Sequence, residues 1–171
     1  MGSEDQKLQT KNQTRTDMKQ TANFKQCLRR SFYLLAITCA LLGLPTVQGA
    51  TITVTNNGDR GPGSLRQALA DAHNEDIISF DPSLNGQTIT LTSGELVVNR
   101  ILSINGPGPS SLAIDANHAS RVFHVTSGAS VGISGLSIIN GSASGLYGGG
   151  IYNDHALLDV INCTLSGNSA N

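Results

Sequence analysis

Val131–Ala143, VGISGLSIINGSA, recurs further along the chain as Leu158–Ala170, LDVINCTLSGNSA. The apolar positions coincide, with Ile133 aligned to Val160, and both copies end in Ser-Ala. Repeats of roughly 20 to 50 residues are typical of stacked architectures, in which one copy cannot bury its apolar face alone and its neighbours cover it. This 27-residue repeat therefore indicates a solenoid more strongly than any local motif in the chain does.

A second internal match has a different spacing. Thr92–Ile104 aligns with Thr126–Ile138 in a 34-residue register, and Thr-Ser-Gly and Leu-Ser-Ile occur in both copies. Combined, the two matches predict one unit with three anchor positions, at Leu102, Leu136 and Cys163. The difference between the two spacings predicts a longer loop in the earlier copy, within Asn105–Arg121.

Short apolar segments separated by Gly, Asn, Ser or Pro fill the chain from Ile77 onward. The predicted strands are Ile77–Phe80, Thr88–Leu91, Leu96–Val98, Ile101–Ile104, Leu112–Ile114, Val122–Val125, Val131–Ile133, Leu136–Ile139, Leu157–Ile161 and Cys163–Leu165. Strands this short suit a coil in which each repeat makes one turn and pairs with the next turn, about 4.8 Å along the axis. Asparagines near the turns are expected at coil corners, where Asn tolerates the left-handed conformation. The sequence predicts an all-β, parallel β-helix.

One segment has a helical period instead. Leu65, Ala68, Leu69 and Ala72 follow the i, i+3, i+4, i+7 pattern of a narrow apolar stripe. Ser64 followed three residues later by Gln67 is a capping box, in which the cap itself contributes ~1 kcal/mol. The predicted helix spans residues 64–73, with Arg66, Gln67 and Asp71 facing outward.

The chain divides into three parts on these patterns. Ala50–Thr55 alternates apolar and polar residues and predicts a strand with one buried face. With the helix it forms a predicted N-terminal cap, residues 50–76, which covers the open apolar end of the first coil. Residues 77–171 are the predicted coils.

Residues 1–49 have a different composition. Residues 1–30 are polar and basic, Ser31–Leu44 is apolar and uncharged, and small residues follow around Gly49. This order predicts a secretory signal peptide with an extended basic segment. The apolar run of about 14 residues is shorter than the roughly 20 that a spanning helix needs. We expect cleavage after Gly49, and Met18 is an alternative start to Met1.

Charge limits the partners of the remaining chain. Residues 50–171 contain four arginines, no lysine and nine acidic residues, a net charge of −5. They lack the clustered cations of a nucleic-acid-binding surface, so nucleic acid is not a predicted partner. Acidic faces rich in hydroxyl and amide groups suit carbohydrates or cell-surface proteins. Cys163, the only cysteine after residue 49, is expected to be an inward-facing core residue.

Catalysis has one candidate group. Asp115 and Arg121, with His118 between them in the predicted long loop, are the nearest acid–base grouping, and they would be the residues of a polysaccharide lyase or hydrolase. The close carboxylate pairs, Glu75 with Asp76 and Asp154 with Asp159, are interpreted as solvated surface. The histidines lack zinc-site spacing, and Gly145–Gly150 lacks the strand-to-helix context of a phosphate loop. We therefore predict no metal and no cofactor.

The segment Gly63–Asn74, GSLRQALADAHN, resembles the CSLREAI…AN segment that opens many bacterial secreted right-handed β-helix proteins, with Gly63 in place of Cys and Gln67 in place of Glu. Gly148–Asn153 and Leu165–Ala170 resemble the repeats of polymorphic-outer-membrane-protein-like and adhesin-like passengers. The resemblance covers Ala50–Asn171. It implies a right-handed parallel β-helix displayed at the bacterial outer membrane or released outside the cell.

Three hypotheses about function follow. The first is an exported scaffold that adheres to carbohydrate or protein surfaces without catalysis. The second is a polysaccharide-cleaving enzyme of the same fold. The third is a truncated fragment with no independent function, because arrays of this kind usually continue for more coils. An open last coil is also expected to promote self-association.

Overall fold

A computed structural model describes residues 49–145 and 147–171. Within this part the chain forms a parallel β-helix of about four turns with one short α-helix near its start. The predicted parallel β-helix is therefore confirmed. The signal-peptide prediction concerns residues outside the described part.

The coils are built from strands of two to five residues. They are β1 Thr51–Val54, β2 Asp76–Phe80, β3 Gln87–Thr90, β4 Leu96–Val98, β5 Ile101–Asn105, β6 Leu112–Asp115, β7 Phe123–Val125, β8 Ser130–Ser134, β9 Ser137–Ile139, β10 Ser142–Ala143, β11 Ile151–Asn153, β12 Leu157–Ile161, β13 Thr164–Ser166 and β14 Ser169–Ala170. Helix α1 spans Leu65–Asp71, and a 3-10 turn spans Pro82–Leu84. The strand predictions omitted β10, β11 and β14. Strands β10 and β14 consist of one serine and one alanine each, and β11 directly follows the glycine run Gly148–Gly150, so none of them shows an apolar alternation.

The strands stack into four parallel sheets. The five-stranded sheet has the order β1-β2-β5-β8-β12, and the four-stranded sheet β13-β9-β6-β3. The three-stranded sheet is β11-β7-β4, and β10 pairs with β14. Each pairing joins strands of successive turns. From β2 onward the chain runs through the five-, four- and three-stranded sheets in that order, and the β10–β14 pair follows the four-stranded sheet in the last two turns.

The 27-residue repeat equals the sequence spacing between paired residues of the last two turns. Ile133 pairs with Val160 between β8 and β12, and the same spacing joins β9 to β13. Ala143 pairs with Ala170 between β10 and β14 at that spacing too. One offset therefore holds in three sheets, which is why the repeat is visible in the sequence.

The predicted 34-residue register is wrong. Between β5 and β8, Leu102 pairs with Val131 rather than Leu136, which is a shorter spacing. The two Thr-Ser-Gly segments occupy different corners, one before β4 and one after β7, and each places its glycine, Gly94 or Gly128, at positive φ. The two segments match because both turns require a glycine at positive φ, and not because the segments stack on each other.

The longer loop lies inside the predicted region. Stacked residues are further apart in sequence at Leu102 and Val131 than they are at Ala113 and Ser137. The extra residues of the earlier turn therefore lie between β5 and β6, in the connection Gly106–Ser111.

Inward side chains stack in ranks along one core. Ile78, Ile104 and Ile133 occupy one rank of the five-stranded sheet, and each has 0% of its surface exposed. Fully burying such a side chain contributes roughly 1.5–3 kcal/mol. Cys163 packs against this core, as predicted, and its thiol is free.

Helix α1 covers the first turns of the core. Its predicted stripe, Leu65, Ala68, Leu69 and Ala72, is buried, and the helix packs against β1 and β4. The Ser64 hydroxyl accepts a hydrogen bond from the Gln67 amide at 3.2 Å. The capping box is not closed, because the Gln67 side chain donates to Asp71 instead and the Ser64 amide donates to the Gly61 carbonyl.

Arg66 does not face solvent freely, contrary to the prediction. Its guanidinium makes an ion pair with Asp59 at 2.7 Å and donates to the carbonyls of Gly94 and Glu95. Asp59 also accepts from the Thr92 amide. Arg66 and Asp59 together attach the cap to the loop before β4.

Candidate functional site

The three sequence candidates for catalysis each have their own contacts within the described part of the chain. Asp115 ends β6, and its carboxylate accepts hydrogen bonds from the Asn117 amide at 2.7 Å and from Asn140 Nδ2 at 3.0 Å. His118 is exposed, and its backbone has a φ of 56°. Its amide donates to the Asn140 carbonyl at 2.8 Å. The contacts of Asp115 and of the His118 backbone thus hold a coil corner in shape.

Arg121 belongs to a different group, which we call the charged cluster: Glu95, Arg121, His124 and Tyr152. Glu95 accepts from Arg121 Nη1 at 2.7 Å and lies 3.0 Å from His124 Nδ1. The Arg121 guanidinium lies 4.9 Å from the centre of the Tyr152 ring. Among the described residues no hydrogen bond or ion pair joins any two of Asp115, His118 and Arg121, so catalysis by this trio stays a prediction.

The charged cluster connects three successive turns. Val97, His124 and Tyr152 are register partners on the outer face of the three-stranded sheet, and Glu95 immediately precedes β4. Burial raises the pKa of Glu95, but hydrogen bonds and charges from Arg121 and His124 outweigh it and hold that pKa below its ordinary value. One carboxylate thus contacts both the Arg121 and the His124 side chains, and the cluster links successive coils.

A groove of about 260 Å³ lies on the outer face of the five-stranded sheet. Its lining includes Glu75, Ile101, Ser103, Ser130, Gly132, Leu157 and Asp159. Ser103, Gly132 and Asp159 are register partners in adjacent strands, so they form one rank across the groove. Gly132 leaves the middle of this rank without a side chain. An added Cβ there would meet only the Ser103 hydroxyl, at 3.6 Å, so the depression is open space.

The groove contains polar groups that the rest of the fold does not use. No hydrogen bond or ion pair is made by the Glu75 or Asp159 carboxylate among residues 49–145 and 147–171. Ile101 and Leu157 line the same groove with 45% and 74% of their surface exposed. Acceptors, hydroxyl groups and apolar contact surface therefore meet in one shallow depression. Sequence reasoning treated Glu75 as solvated surface and did not select Gly132, because the groove appears only once the register is known.

A second cleft, of about 300 Å³, lies between α1 and β4 and includes Arg66 and Arg100 in its lining. Arg66 is already engaged by Asp59 and by two backbone carbonyls. Arg100 Nε is buried and has no partner within the described part of the chain. Of its two arginine side chains, this cleft therefore offers a ligand only that of Arg100, whereas the groove offers two carboxylates, hydroxyl groups and apolar surface.

Gly148–Gly150, the glycine-rich run, serves the packing of the coils. A Cβ at Gly149 would overlap the Ser169 carbonyl of the next turn, so only glycine allows this approach. Asn168 donates to the Ile138 carbonyl at 2.8 Å and accepts from the Gly141 amide at 2.7 Å, which satisfies backbone groups of the preceding turn. The run is a close contact between turns.

In the described residues, no group of three or more His, Cys, Asp or Glu side chains is placed to hold a metal ion. That part of the chain also contains no helix of the length and apolar character required to cross a membrane. Comparison with protein-family models, with curated proteins and with solved structures gives no match.

Proposed function

We propose that this chain is an exported, non-catalytic β-helix scaffold that binds neutral glycans in the groove centred on Gly132. The observation that carries the proposal is the groove itself, where the unpaired carboxylates of Glu75 and Asp159 flank an outward position without a side chain. The export and the relationship to secreted β-helix passengers rest on the leader-like composition of residues 1–49 and on Gly63–Asn74.

The chemistry of the groove matches that of a sugar ring. A pyranose presents hydroxyl donors around its edge and C–H groups on its faces. Carboxylates are strong acceptors, and the Ser103 and Ser130 hydroxyls both donate and accept. Ile101 and Leu157 offer apolar contact for the C–H faces, in the mixture of apolar surface and a few polar groups that is typical of small-ligand sites.

Charge selects between classes of glycan. The groove contains two carboxylates and no arginine or lysine, and residues 50–171 have a net charge of −5. A polyuronate would bring further negative charge to these carboxylates, and like charges in a partly desolvated site repel. Neutral polysaccharides avoid this repulsion, so they are the proposed ligands.

The position of the groove favours binding without rearrangement. Ser103, Gly132 and Asp159 belong to strands paired in one parallel sheet, so their backbone positions are fixed before a ligand arrives. A site held by paired strands requires less ordering on binding than a site on a loop does. The repeated rise between strands also suits a linear polymer that extends across several turns.

The experiment is a titration with neutral oligosaccharides, such as glucan, mannan and xylan fragments, followed by NMR chemical shifts. We expect shifts at the groove and a loss of affinity of at least about tenfold in Gly132→Leu, whose side chain fills the depression. Thr88→Leu, an outward-facing change on the four-stranded sheet, is the matched control and should bind normally.

Two results would contradict the proposal: no neutral glycan shifts the groove resonances, or Gly132→Leu binds as the unchanged protein does. The same incubations, assayed for unsaturated or reducing ends, test the enzymatic hypothesis. Product that disappears in Asp115→Asn or Arg121→Gln would support catalysis over a scaffold.

A further inference from the structure

The interpretation of Asp76 as solvated surface is wrong: in the described part of the chain it is the one ionisable residue that is buried as a whole, with 5% of its surface exposed. It begins β2, next to the paired core strands. Burying a carboxylate is costly unless hydrogen bonds or an opposite charge compensate for the lost water. The Asp76 carboxylate therefore requires hydrogen-bond donors or an opposite charge close to it.

Two backbone amides meet this carboxylate. The His73 amide donates to Oδ2 and the Ala50 amide donates to Oδ1, each at 2.7 Å. These bonds, the His73 one first, lower the pKa of Asp76 and keep it ionised. In the described part, the basic side chain that approaches this carboxylate is His73, whose Nδ1 lies 3.9 Å from Oδ2 and whose side chain is 87% exposed. The negative charge of Asp76 thus has no buried counter-ion among residues 49–145 and 147–171.

We propose that Asp76 is the counter-ion of the mature N-terminus, the α-ammonium group that forms on Ala50 when the chain is cut after Gly49. Hydrolysis of the Gly49–Ala50 bond consumes one water, leaves a carboxylate on Gly49 and an amine on Ala50, and that amine takes up a proton at neutral pH. The nitrogen already lies 2.7 Å from Asp76 Oδ1, so an amide hydrogen bond becomes an ion pair without movement. The inference rests on the export that we propose above.

The surroundings of the bond fit a cut at this position. A Cβ at residue 49 would overlap the Glu75 carbonyl, so the fold accepts only glycine there, and a small residue is also what a leader peptidase requires before its cut. The Ala50 carbonyl accepts from the Ile77 amide at 2.8 Å, which holds Ala50 against β2 immediately before β1 begins. The residue that follows the predicted cut therefore lies beside Asp76.

The sequence makes the test selective. All four lysines, Lys7, Lys11, Lys19 and Lys25, precede the cut. A chain that begins at Ala50 therefore has one primary amine, its own N-terminus. Reductive methylation with ¹³C-formaldehyde would label this group alone, and its pKa can be read by NMR in the intact protein.

The experiment begins with the full chain expressed in a secreting bacterial host, with N-terminal sequencing and intact mass of the exported protein. We expect Ala50 as the first residue and a single dimethylamine signal. Its pKa should be higher in the folded protein than in urea, where an α-amine titrates at about 7.7–8.0. Asp76→Asn should remove most of this increase, and Asp71→Asn, at an exposed carboxylate on α1, should not. His73→Gln controls for the neighbouring imidazole, and Glu75→Gln for the adjacent carboxylate.

The outcomes separate the two proposals. Absence of the chain from the exported fraction would contradict export and, with it, the ion pair. A first residue other than Ala50, or equal pKa values in the folded and unfolded chain, would overturn the ion pair and leave glycan binding unaffected. If Asp76→Asn does not fold, the comparison of folded and unfolded wild-type protein still decides.

Discussion

The interior turns and the last turn present the same inward positions in different surroundings. Ile104, Ile133 and Val160 are consecutive members of one rank, yet the first two have 0% of their surface exposed and Val160 has 41%. In the four-stranded sheet, Ile138 is completely buried, whereas its partner Leu165 is 50% exposed. The sequences of these turns are alike, so the following turn creates the difference.

Burial in this fold is thus a property of the neighbours of a residue. In a stack whose repeats contact only adjacent repeats, stability is approximately a sum of terms for each repeat and each interface. Helix α1 supplies such a neighbour at the start, where it packs against β1 and β4. Substitutions at equivalent positions of an interior turn and the last turn therefore test whether the following turn determines how much each position contributes to stability.

Ile133→Ala should have the largest effect. It leaves a cavity between two stacked turns, and large-to-small changes at such sites cost about 2–5 kcal/mol. Val160→Ala, at the equivalent position one turn later, should cost less than about 1 kcal/mol, because that side chain already contacts water. Urea denaturation followed by circular dichroism measures both. Equal losses would mean that the last turn is as well packed as the interior.

Ser64→Ala should lower the free energy of unfolding by about 0.5–2 kcal/mol, the usual range for a lost helix cap. Gln67→Ala is the matched change, and we expect a smaller loss, since the Gln67 side chain bonds to Asp71 and leaves the capping box open. The same urea experiment distinguishes them. A larger loss in Gln67→Ala would show that the box closes in solution.

The fold was predictable because the stacked turns of a solenoid are visible as a repeat in the sequence. The 27-residue repeat is the spacing at which β8 pairs with β12, so the sequence alone aligns Ile133 with Val160. The other spacing failed because turns at different corners use the same Thr-Ser-Gly chemistry, and a sequence alignment cannot distinguish a shared turn from a shared position.

The surface sites were less accessible to sequence reasoning. Glu95, His124 and Tyr152 each come from a different turn, so no local motif unites them. The groove depends on Gly132 being an outward position beside Ser103 and Asp159, which requires the pairing of β5 with β8 that the repeat analysis missed. Asp115 and His118 were selected for their chemistry, yet the contacts of the Asp115 carboxylate and the His118 backbone shape a corner.

Acid should weaken the capped end through Asp59. Burial raises its pKa, but hydrogen bonds from Ser93, Arg66 and the Thr92 amide outweigh this and lower it to about 2 from 3.8. Because the pKa of Asp59 is lower in the folded chain, its ionised carboxylate stabilises the fold at a pH above its pKa in the unfolded chain. This contribution disappears as the pH falls from about 4 to about 2. Urea midpoints over this range should fall more steeply in the wild type than in Asp59→Asn. Parallel curves would show that Asp59 does not tie the cap to the coil.

The smallest effect on folding stability is expected at Leu165, where we predict an effect on self-association instead. The outer edges of β12 and β13 have no strand partner among the described residues, and Leu165 exposes half of its surface there. We predict that these edges pair between copies, so the average mass in sedimentation should rise with protein concentration. Leu165→Lys places a charge beside an unpaired edge, which opposes strand addition, and should abolish the rise with a change in folding stability of about 0.5 kcal/mol or less. Leu157→Lys, on the outward face of β12 and 74% exposed, is the control that should still associate. A wild-type protein that stays monomeric at all concentrations would show that the open turn is insufficient for pairing, and that exposed inward residues alone do not make a solenoid end adhesive.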